Sequence, residues 1–244
     1  MLESQAEDAK GKVGRSLREV LLIVMGVLIA LALESLWQDR QDRIVESEML
    51  AGLLAELEEN QEKVDQSLQV HEKIGAAAGL MLDALGSVSW GQEVHVPDSI
   101  LSQVVRGPTY QPIRARLDAA LSSGRIGLIR SSDVQRALAA WARLAAEALE
   151  EERDGREFVS SQLLPVLREA TDLEVVYRTY VESANRTEFG TLLWGTTTSS
   201  VTTSRGLVNL IGRRRFYTAT AAGSLGSLRE HLDQTVALIE AEGS

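Results

Sequence analysis

The chain has 244 residues, 44% hydrophobic and 25% charged, and these fractions exclude a disordered chain or a multi-span membrane protein. The 25 basic and 35 acidic residues give a formal net charge of -10. That balance argues against general nucleic-acid binding, because neutralising phosphates requires a surplus of Lys and Arg. With no cysteine, the chain has no disulfides, thiolate metal sites or cysteine nucleophiles.

The composition favours long helices. Aromatic residues are only 5%, prolines number four, and Ala, Leu, Glu and Arg are abundant. We therefore expect an all-α protein, with one N-terminal transmembrane helix that continues into a stalk. The stalk should pack with further helices as an extramembrane helical bundle.

The first predicted element is an uncharged run of 14 residues, Val20–Leu33, which lies between Glu19 and Glu34. As a helix it would be about 21 Å long, shorter than the ~30 Å hydrocarbon core of a bilayer. Three interpretations are open: a buried core helix, a cleaved signal peptide and an uncleaved span.

The sequence around this run favours the uncleaved span. A surface-packed helix would show a polar face, and the run has none. A signal peptidase site of the small-x-small form occurs at Ala30-Leu31-Ala32, but no turn residue follows it. We predict a transmembrane helix over residues 16–37, with Arg18 and Trp37 at the two membrane interfaces.

The basic residues around the span predict its orientation. Four basic residues precede the uncharged run Val20–Leu33 and two follow it: Lys10, Lys12, Arg15 and Arg18, then Arg40 and Arg43. The positive-inside rule then predicts a cytoplasmic N-terminal tail over residues 1–15 in a bacterial inner membrane. Residues 38–244 would form an extracytoplasmic helical bundle domain, which is periplasmic in a Gram-negative cell.

One face of the predicted span carries small residues at four-residue spacing. Leu22, Gly26, Ala30 and Glu34 line up along one side of the helix. Small residues at this spacing let two helices approach closely in lipid. This face is a candidate docking surface for another transmembrane helix, although Gly and Ala are also common in any span.

Helical spacing of apolar residues continues from residue 44 to 68 and predicts the stalk. Its carboxylates predict an acidic, solvated outer face: Glu46, Glu48, Glu56, Glu58, Glu59, Glu62 and Asp65. Two glycines, Gly75 and Gly79, predict a kink or a close helix contact. The helix should end near Leu85 and Gly86.

Shorter elements follow in the middle of the chain. Residues 87–98 read as a loop with a short strand, followed by short helices over 99–106 and from about 111 to 121. Ser132 and Gln135 form a capping box that begins a longer helix, on whose apolar face Trp141 is predicted to be core. Pro165 should kink or end this helix.

The C-terminal part begins with an irregular tract over residues 182–204, which is either a flexible surface loop or a contact surface. A long amphipathic helix then runs from Leu207 through Ile239 to the C-terminus. Its later half should pack on the stalk, since both helices carry a Leu-rich stripe.

The one basic cluster is Arg213, Arg214 and Arg215. It is a candidate contact for an acidic partner or anionic headgroups, or it pairs internally with stalk carboxylates, which we favour. The three histidines lack the paired spacing of a metal site. Neither a catalytic constellation nor a cofactor motif occurs, so we expect no enzyme activity and no cofactor.

Several segments resemble one family of bacterial single-pass membrane proteins. They are Arg18–Arg43, Leu53–Val64, Arg114–Trp141 and the last helix. The resemblance implies an N-terminal anchor and a helical extramembrane domain, and it carries no catalytic residue.

Two functions are expected from these features. The first is a membrane-anchored, non-enzymatic accessory or scaffold subunit that docks on a larger membrane complex, such as a respiratory or photosynthetic assembly. Its partners would be other transmembrane subunits and the lipid bilayer, and not nucleic acid. The alternative is an anchored sensor or regulator that binds a small ligand in its helical domain.

Overall fold

The computed structural model describes residues 2–174, 176–177 and 198–242, with side chains from residue 21 onward except that of residue 23. It is mostly helical, at 82%, which agrees with the predicted all-α class. The chain divides into two compact units, Met1–Ala51 and Gly52–Ser244.

The helices and strands follow in chain order. They are α1 (Leu2–Gly86), β1 (Glu93–Pro97), α2 (Asp98–Val104), α3 (Ala115–Ser122), α4 (Ser132–Phe158), α5 (Leu164–Ala170), β2 (Thr198–Thr202) and α6 (Arg205–Glu242). A 3-10 turn, Arg125–Leu128, precedes α4, and a π-helical turn, Val159–Leu163, joins α4 to α5.

The first unit consists of the N-terminal part of α1, which includes the predicted span over residues 16–37. Among the described residues, no helix combines the length and the apolarity that crossing a membrane requires.

The second unit is organised by three helices whose buried residues repeat with heptad spacing. Intervals of four and three alternate along each helix, as in coiled coils. On α1 the buried series is Leu53, Leu57, Asn60, Val64, Ser67, His71, Ile74, Ala78, Met81 and Leu85. On α4 it is Val134, Leu138, Trp141, Ala145, Ala148, Glu152 and Gly155, and the spacing continues to Val159 in the π-helical turn. On α6 it is Leu207, Ile211, Arg214, Thr218, Ala221, Leu225, Leu228, Leu232, Thr235 and Ile239. Burying so many apolar side chains, each contributing about 1.5–3 kcal/mol, dominates the stability of this bundle.

Helix α6 runs antiparallel to both α1 and α4. Residue numbers along α6 decrease as those along α1 increase: Gln61 donates to Asp233, and Asp65 accepts from Arg229. Against α4, His231 bonds the carbonyl of Ala137 while Arg213 bonds Gln162. The prediction that the last helix packs on the helix after residue 38 is therefore confirmed.

The central part of this bundle holds the predicted core tryptophan. Trp141 is fully buried on α4, as its place on the apolar face predicts. A further apolar cluster covers the C-terminal end of α1 and includes Met81, Leu101, Phe158 and Ile211. Helix α2 is buried along its whole length, so it forms part of the core between the larger helices.

A two-stranded antiparallel sheet joins distant parts of the chain. Strand β1 pairs with β2, with Val94 opposite Val201 and Val96 opposite Ser199. The strand at 93–97 is confirmed, while the expectation of irregular backbone is wrong for residues 198–202. These residues become regular because β1 supplies hydrogen-bond partners that local sequence does not reveal. The rest of the tract from 182 to 197 lies outside the described residues.

Helix ends agree with the sequence signals to within a few residues. Helix α1 ends at Gly86 as predicted, and α2 ends before Gly107. The N-cap of α4 is Ser131 rather than Ser132, since the Ser131 hydroxyl accepts from the N–H of Val134. The π-helical turn, Val159–Leu163, ahead of Pro165 lets the helical path continue into α5.

One carboxylate of the predicted acidic outer face lies inside the protein. Glu56 is only 5% exposed, and its two carboxylate oxygens accept from the N–H groups of Arg116 and Leu117 at 2.7 and 3.1 Å. These are N–H groups of the first turn of α3, which have no partner within their own helix. The prediction of a solvated Glu56 is therefore wrong, because α3 packs its N-terminus onto α1.

Replacing Glu56 by alanine should lower the free energy of unfolding by about 1–2 kcal/mol, since α3 loses its capping acceptor. The exposed neighbour Glu58 provides the matched control, and its alanine variant should stay within about 0.5 kcal/mol of wild type. Urea unfolding followed by circular dichroism measures both. Equal losses for the two variants would contradict a capping role.

Candidate functional site

A buried carboxylate connects α1, α4 and the loop that follows α2. Glu152 lies at a core position of α4, and its Oε1 accepts from the Ser67 hydroxyl at 2.9 Å and lies 3.0 Å from His71 Nε2. Its Oε2 accepts from the backbone N–H of Tyr110, and Arg156 Nη1 lies 4.0 Å away. A buried charge is stable only when it is paired and hydrogen-bonded in this way.

These contacts determine the protonation of the cluster. Burial alone raises the pKa of Glu152, but hydrogen bonds from His71, the Tyr110 N–H and Ser67 outweigh burial and leave the pKa below its ordinary value. An ionised carboxylate only accepts hydrogen bonds, so His71 Nε2 carries the hydrogen. His71 Nδ1 is buried and has no partner among the described residues.

A second polar residue holds the same loop from α1. The Asn60 side chain donates to the carbonyls of Glu56 and Ile113 at 2.7 and 2.8 Å, and its oxygen accepts from the N–H of Ile113 and the hydroxyl of Tyr110. Burial and the Glu152 charge both raise the pKa of Tyr110, which stays protonated at neutral pH. Asn60 and Glu152 thus anchor the loop at two points.

Beside this loop lies a cleft of about 570 Å³. Small-molecule sites typically have volumes of about 300–1,000 Å³. Its walls are one face of α1 and the segment after α2, and they consist of Lys63, Gln66, Ser67, Gln69, Val70, Lys73, Arg106, Pro108, Thr109, Tyr110 and Gln111. Three of these residues are cationic and none is acidic, although the whole chain is strongly acidic.

Ser67, His71 and Glu152 do not form the hydrogen-bond relay of a serine hydrolase. In a serine hydrolase triad the serine donates to histidine, and histidine in turn donates to a carboxylate. Here Ser67 and His71 both bond the same oxygen of Glu152, so the serine hydroxyl does not donate to the histidine as it would in a triad. Among the described residues no group of His, Asp and Glu side chains could hold a metal ion.

The predicted docking face lies on α1 in the first unit. Leu22, Gly26, Ala30 and Glu34 all lie on exposed helix, and a Cβ added at Gly26 would meet no atom within 4 Å. Trp37 is 67% exposed. The side chain of Arg18 lies outside the described residues.

The side chains of the three adjacent arginines lie in different environments. Arg214 is 2% exposed, so it is not available to a partner from outside; this corrects its assignment as a partner contact. The Arg213 guanidinium stacks over Phe158 and donates to Gln162 and Tyr217. Arg215 is exposed. Successive helix positions differ by about 100°, which separates the three side chains.

The contacts of Arg214 also replace the predicted pairing with stalk carboxylates. Its guanidinium donates to the carbonyls of Val104 and Arg106, at the C-terminal end of α2. Burial lowers the pKa of Arg214 to about 10, so the side chain remains charged at neutral pH. A cation at a helix C-terminus is stabilised by the carbonyls that lack partners there. The carboxylate Asp65, which we expected to be solvated, pairs instead with Arg229 at 2.9 Å.

Sequence reasoning missed Glu152, Asn60, Ser67 and the burial of His71. All four occupy heptad core positions: Asn60 lies between Leu57 and Val64, and Ser67 and His71 are consecutive members of the α1 series between Val64 and Ile74. A polar residue in the middle of an apolar stripe was the signal that would have identified them.

Comparisons with known proteins identify no relative. No family model matches the chain, and neither a curated protein nor a solved structure matches it significantly. The resemblance to single-pass membrane proteins therefore stays a prediction.

Proposed function

We propose that this protein is a membrane-anchored accessory subunit, held by α1 residues 16–37 and carrying the helical bundle as its water-soluble part. The single observation that carries the proposal is the apolar surface of α1. Large apolar side chains along its first unit are 48–68% exposed: Leu21, Leu22, Val24, Met25, Val27, Leu28, Ile29, Leu31, Leu33, Leu36 and Trp37.

These side chains surround the helix rather than forming a stripe. Consecutive positions such as Val27, Leu28 and Ile29 point about 100° apart, and all three are more than half exposed. An amphipathic helix would have one polar face to leave in water, and this segment has none. An apolar environment all round the helix, such as a bilayer with neighbouring helices, removes this exposed surface from water.

A span must be long enough for the hydrocarbon core, and this requires residues on both sides of the uncharged run. The uncharged run gives about 21 Å of helix, whereas residues 16–37 give about 33 Å, enough for a ~30 Å hydrocarbon core. Arg18 and Glu19 then have to extend toward one interface, with Glu34 near the other and Trp37 in the headgroup region.

Membrane fractionation tests the anchor. Wild type should remain in the pellet after a sodium carbonate wash, and Leu28→Arg with Ile29→Arg should move most of the protein to the supernatant, since each central Arg costs about 2.5–3.5 kcal/mol. Leu80→Arg, on the same helix and equally exposed, should stay in the pellet.

Two results would contradict the proposed membrane anchor. One is a wild-type protein that the carbonate wash releases. The other is a mature N-terminus after Ala32 by mass spectrometry, which would establish a cleaved signal peptide.

Co-purification tests the accessory role. In mild detergent, a tagged protein should bring down partner subunits in stoichiometric amounts, identified by mass spectrometry. Ala30→Leu should reduce this recovery because Ala30 lies on the small-residue face. Ala32→Leu makes the same change about 160° away around the helix and should not. Equal recovery with both variants would remove the docking face from the proposal.

A second candidate function is an anchored sensor or regulator, and the cleft beside the 105–111 segment favours it. The cleft has the size of a small-molecule site and a single sign of charge. Under this second function, the protein purifies alone and binds a soluble compound.

A further inference from the structure

The charge of the cleft differs from that of the helix on which it lies. The sequence from residue 44 to the end of α1 contains nine carboxylates. Apart from His71, its basic side chains are Lys63 and Lys73. Both lysines line the cleft, and no acidic residue does. Neither lysine forms an ion pair with another described residue.

Lys63 and Lys73 line the cleft at two different levels of α1. They are ten positions apart on α1, which corresponds to about 15 Å along the helix. Gln66 and Gln69 lie between them with exposed carboxamides, so hydrogen-bonding groups fill the space between the two charges. Both lysines are half-buried.

The opposite wall is held rigidly and carries a third cation. Arg106 lines the cleft, and its backbone carbonyl accepts from the buried Arg214 guanidinium. The carbonyl of Pro108 accepts from Arg156 Nη1 at 3.0 Å. Because donors from α4 and α6 hold this segment, its side of the cleft is preformed, and little ordering accompanies ligand binding.

The Glu152 carboxylate is not part of the cleft lining. It lies beneath the wall and accepts from Ser67, His71 and the Tyr110 N–H, while Arg156 is 4.0 Å away. These donors and the nearby guanidinium offset part of its negative charge.

We propose that this cleft binds a small compound carrying phosphate groups, with at least two negative charges that contact Lys63 and Lys73 and a further contact to Arg106. The inference deepens the second candidate function and rests on it. The phosphate can belong to a soluble metabolite or to a lipid headgroup, since both present the same oxygen acceptors to ammonium and guanidinium groups.

The test uses the full chain in neutral detergent, titrated by calorimetry with inorganic pyrophosphate and, separately, with dioctanoyl phosphatidic acid. Saturable binding that weakens as salt rises is expected for at least one probe. A tighter site for pyrophosphate indicates a soluble ligand, whereas a tighter site for the lipid indicates a headgroup. Both outcomes support a phosphate site.

Paired variants locate the binding. Lys63→Gln with Lys73→Gln should weaken binding about tenfold or more, or about 1.4 kcal/mol. Arg153→Gln with Arg215→Gln removes the same charge from exposed positions outside the cleft and should change affinity less than twofold. Circular dichroism and urea midpoints should be unchanged for both pairs.

Two results overturn the proposal: a folded wild type that binds neither probe, or equal losses for the two variant pairs. Neither result alters the fractionation and co-purification outcomes, so failure of the phosphate site is distinguishable from failure of the anchored accessory role. A wild type that purifies alone and binds neither probe would overturn the phosphate site, and not the second candidate function, which itself expects purification without partners.

Discussion

Replacing Glu152 by alanine is expected to lower the free energy of unfolding by about 3–5 kcal/mol, among the largest effects of any single substitution in the bundle. The substitution leaves the Ser67 hydroxyl, the His71 ring and the Tyr110 N–H, all on buried residues, without an acceptor. Each unsatisfied donor costs about 1–3 kcal/mol, and the missing side chain adds a cavity.

Urea unfolding of the full chain measures this loss, with Glu150→Ala as the matched control. Glu150 is an exposed glutamate on the same helix, so its variant should stay within about 0.5 kcal/mol of wild type. A Glu152→Ala protein as stable as this control would show that the buried cluster contributes nothing to the fold.

The same carboxylate should make stability depend on acid pH. Because the pKa of Glu152 is lowered by folding, its contribution is fully present above the unfolded pKa of about 4.3 and is lost as pH falls through the lower folded value. Glu152→Gln lacks this titration. The stability difference between wild type and Glu152→Gln should therefore shrink as pH falls below about 4.3, as followed by urea midpoints. A difference that grows below that pH would contradict the assignment.

Replacing Arg214 by alanine is expected to cost about 2–4 kcal/mol of unfolding free energy. The variant leaves the carbonyls of Val104 and Arg106 without their donors and opens a void between α2 and α6. It also removes a desolvated charge, which by itself favours folding, but the void and the two lost hydrogen bonds outweigh that gain.

Two further variants separate these contributions. Arg214→Met fills most of the volume without the charge, so it should cost less than Arg214→Ala. Arg215→Ala, the exposed neighbour, should change stability by no more than about 0.5 kcal/mol. Thermal unfolding followed by circular dichroism ranks the three. A methionine variant less stable than the alanine one would mean that cavity formation is not the dominant cost.

Local signals were sufficient for most of the helices. The end of α1 at Gly86, the short helix before Gly107 and the burial of Trp141 all follow from glycine, proline and apolar spacing. Strand β2 was not predicted, because its partner β1 lies about a hundred positions earlier and the Thr and Ser residues of β2 carry no strong pattern of their own.

The candidate site was predicted less well than the helices. No local sequence signal distinguishes Lys63 and Lys73 from the helix surface around them, and they become walls of a cleft only when the 105–111 segment packs against α1. Glu56 read as solvated because nothing near it in sequence indicates that α3 brings its N-terminus there.

The amino-acid sequence by itself determined the helical character of the protein, the bounds of its longer helices and the apolar segment near the N-terminus. Apolar periodicity and helix-ending residues act over a few positions, so they can be read along the chain. Tertiary structure alone decided the polar pairings: Ser67 with Glu152 is 85 positions apart, and Arg214 with Val104 is 110. Packing of the helices removes the water that hydrogen-bonds a polar side chain in the unfolded chain. The side chain then needs a partner from another helix, which the local sequence does not reveal.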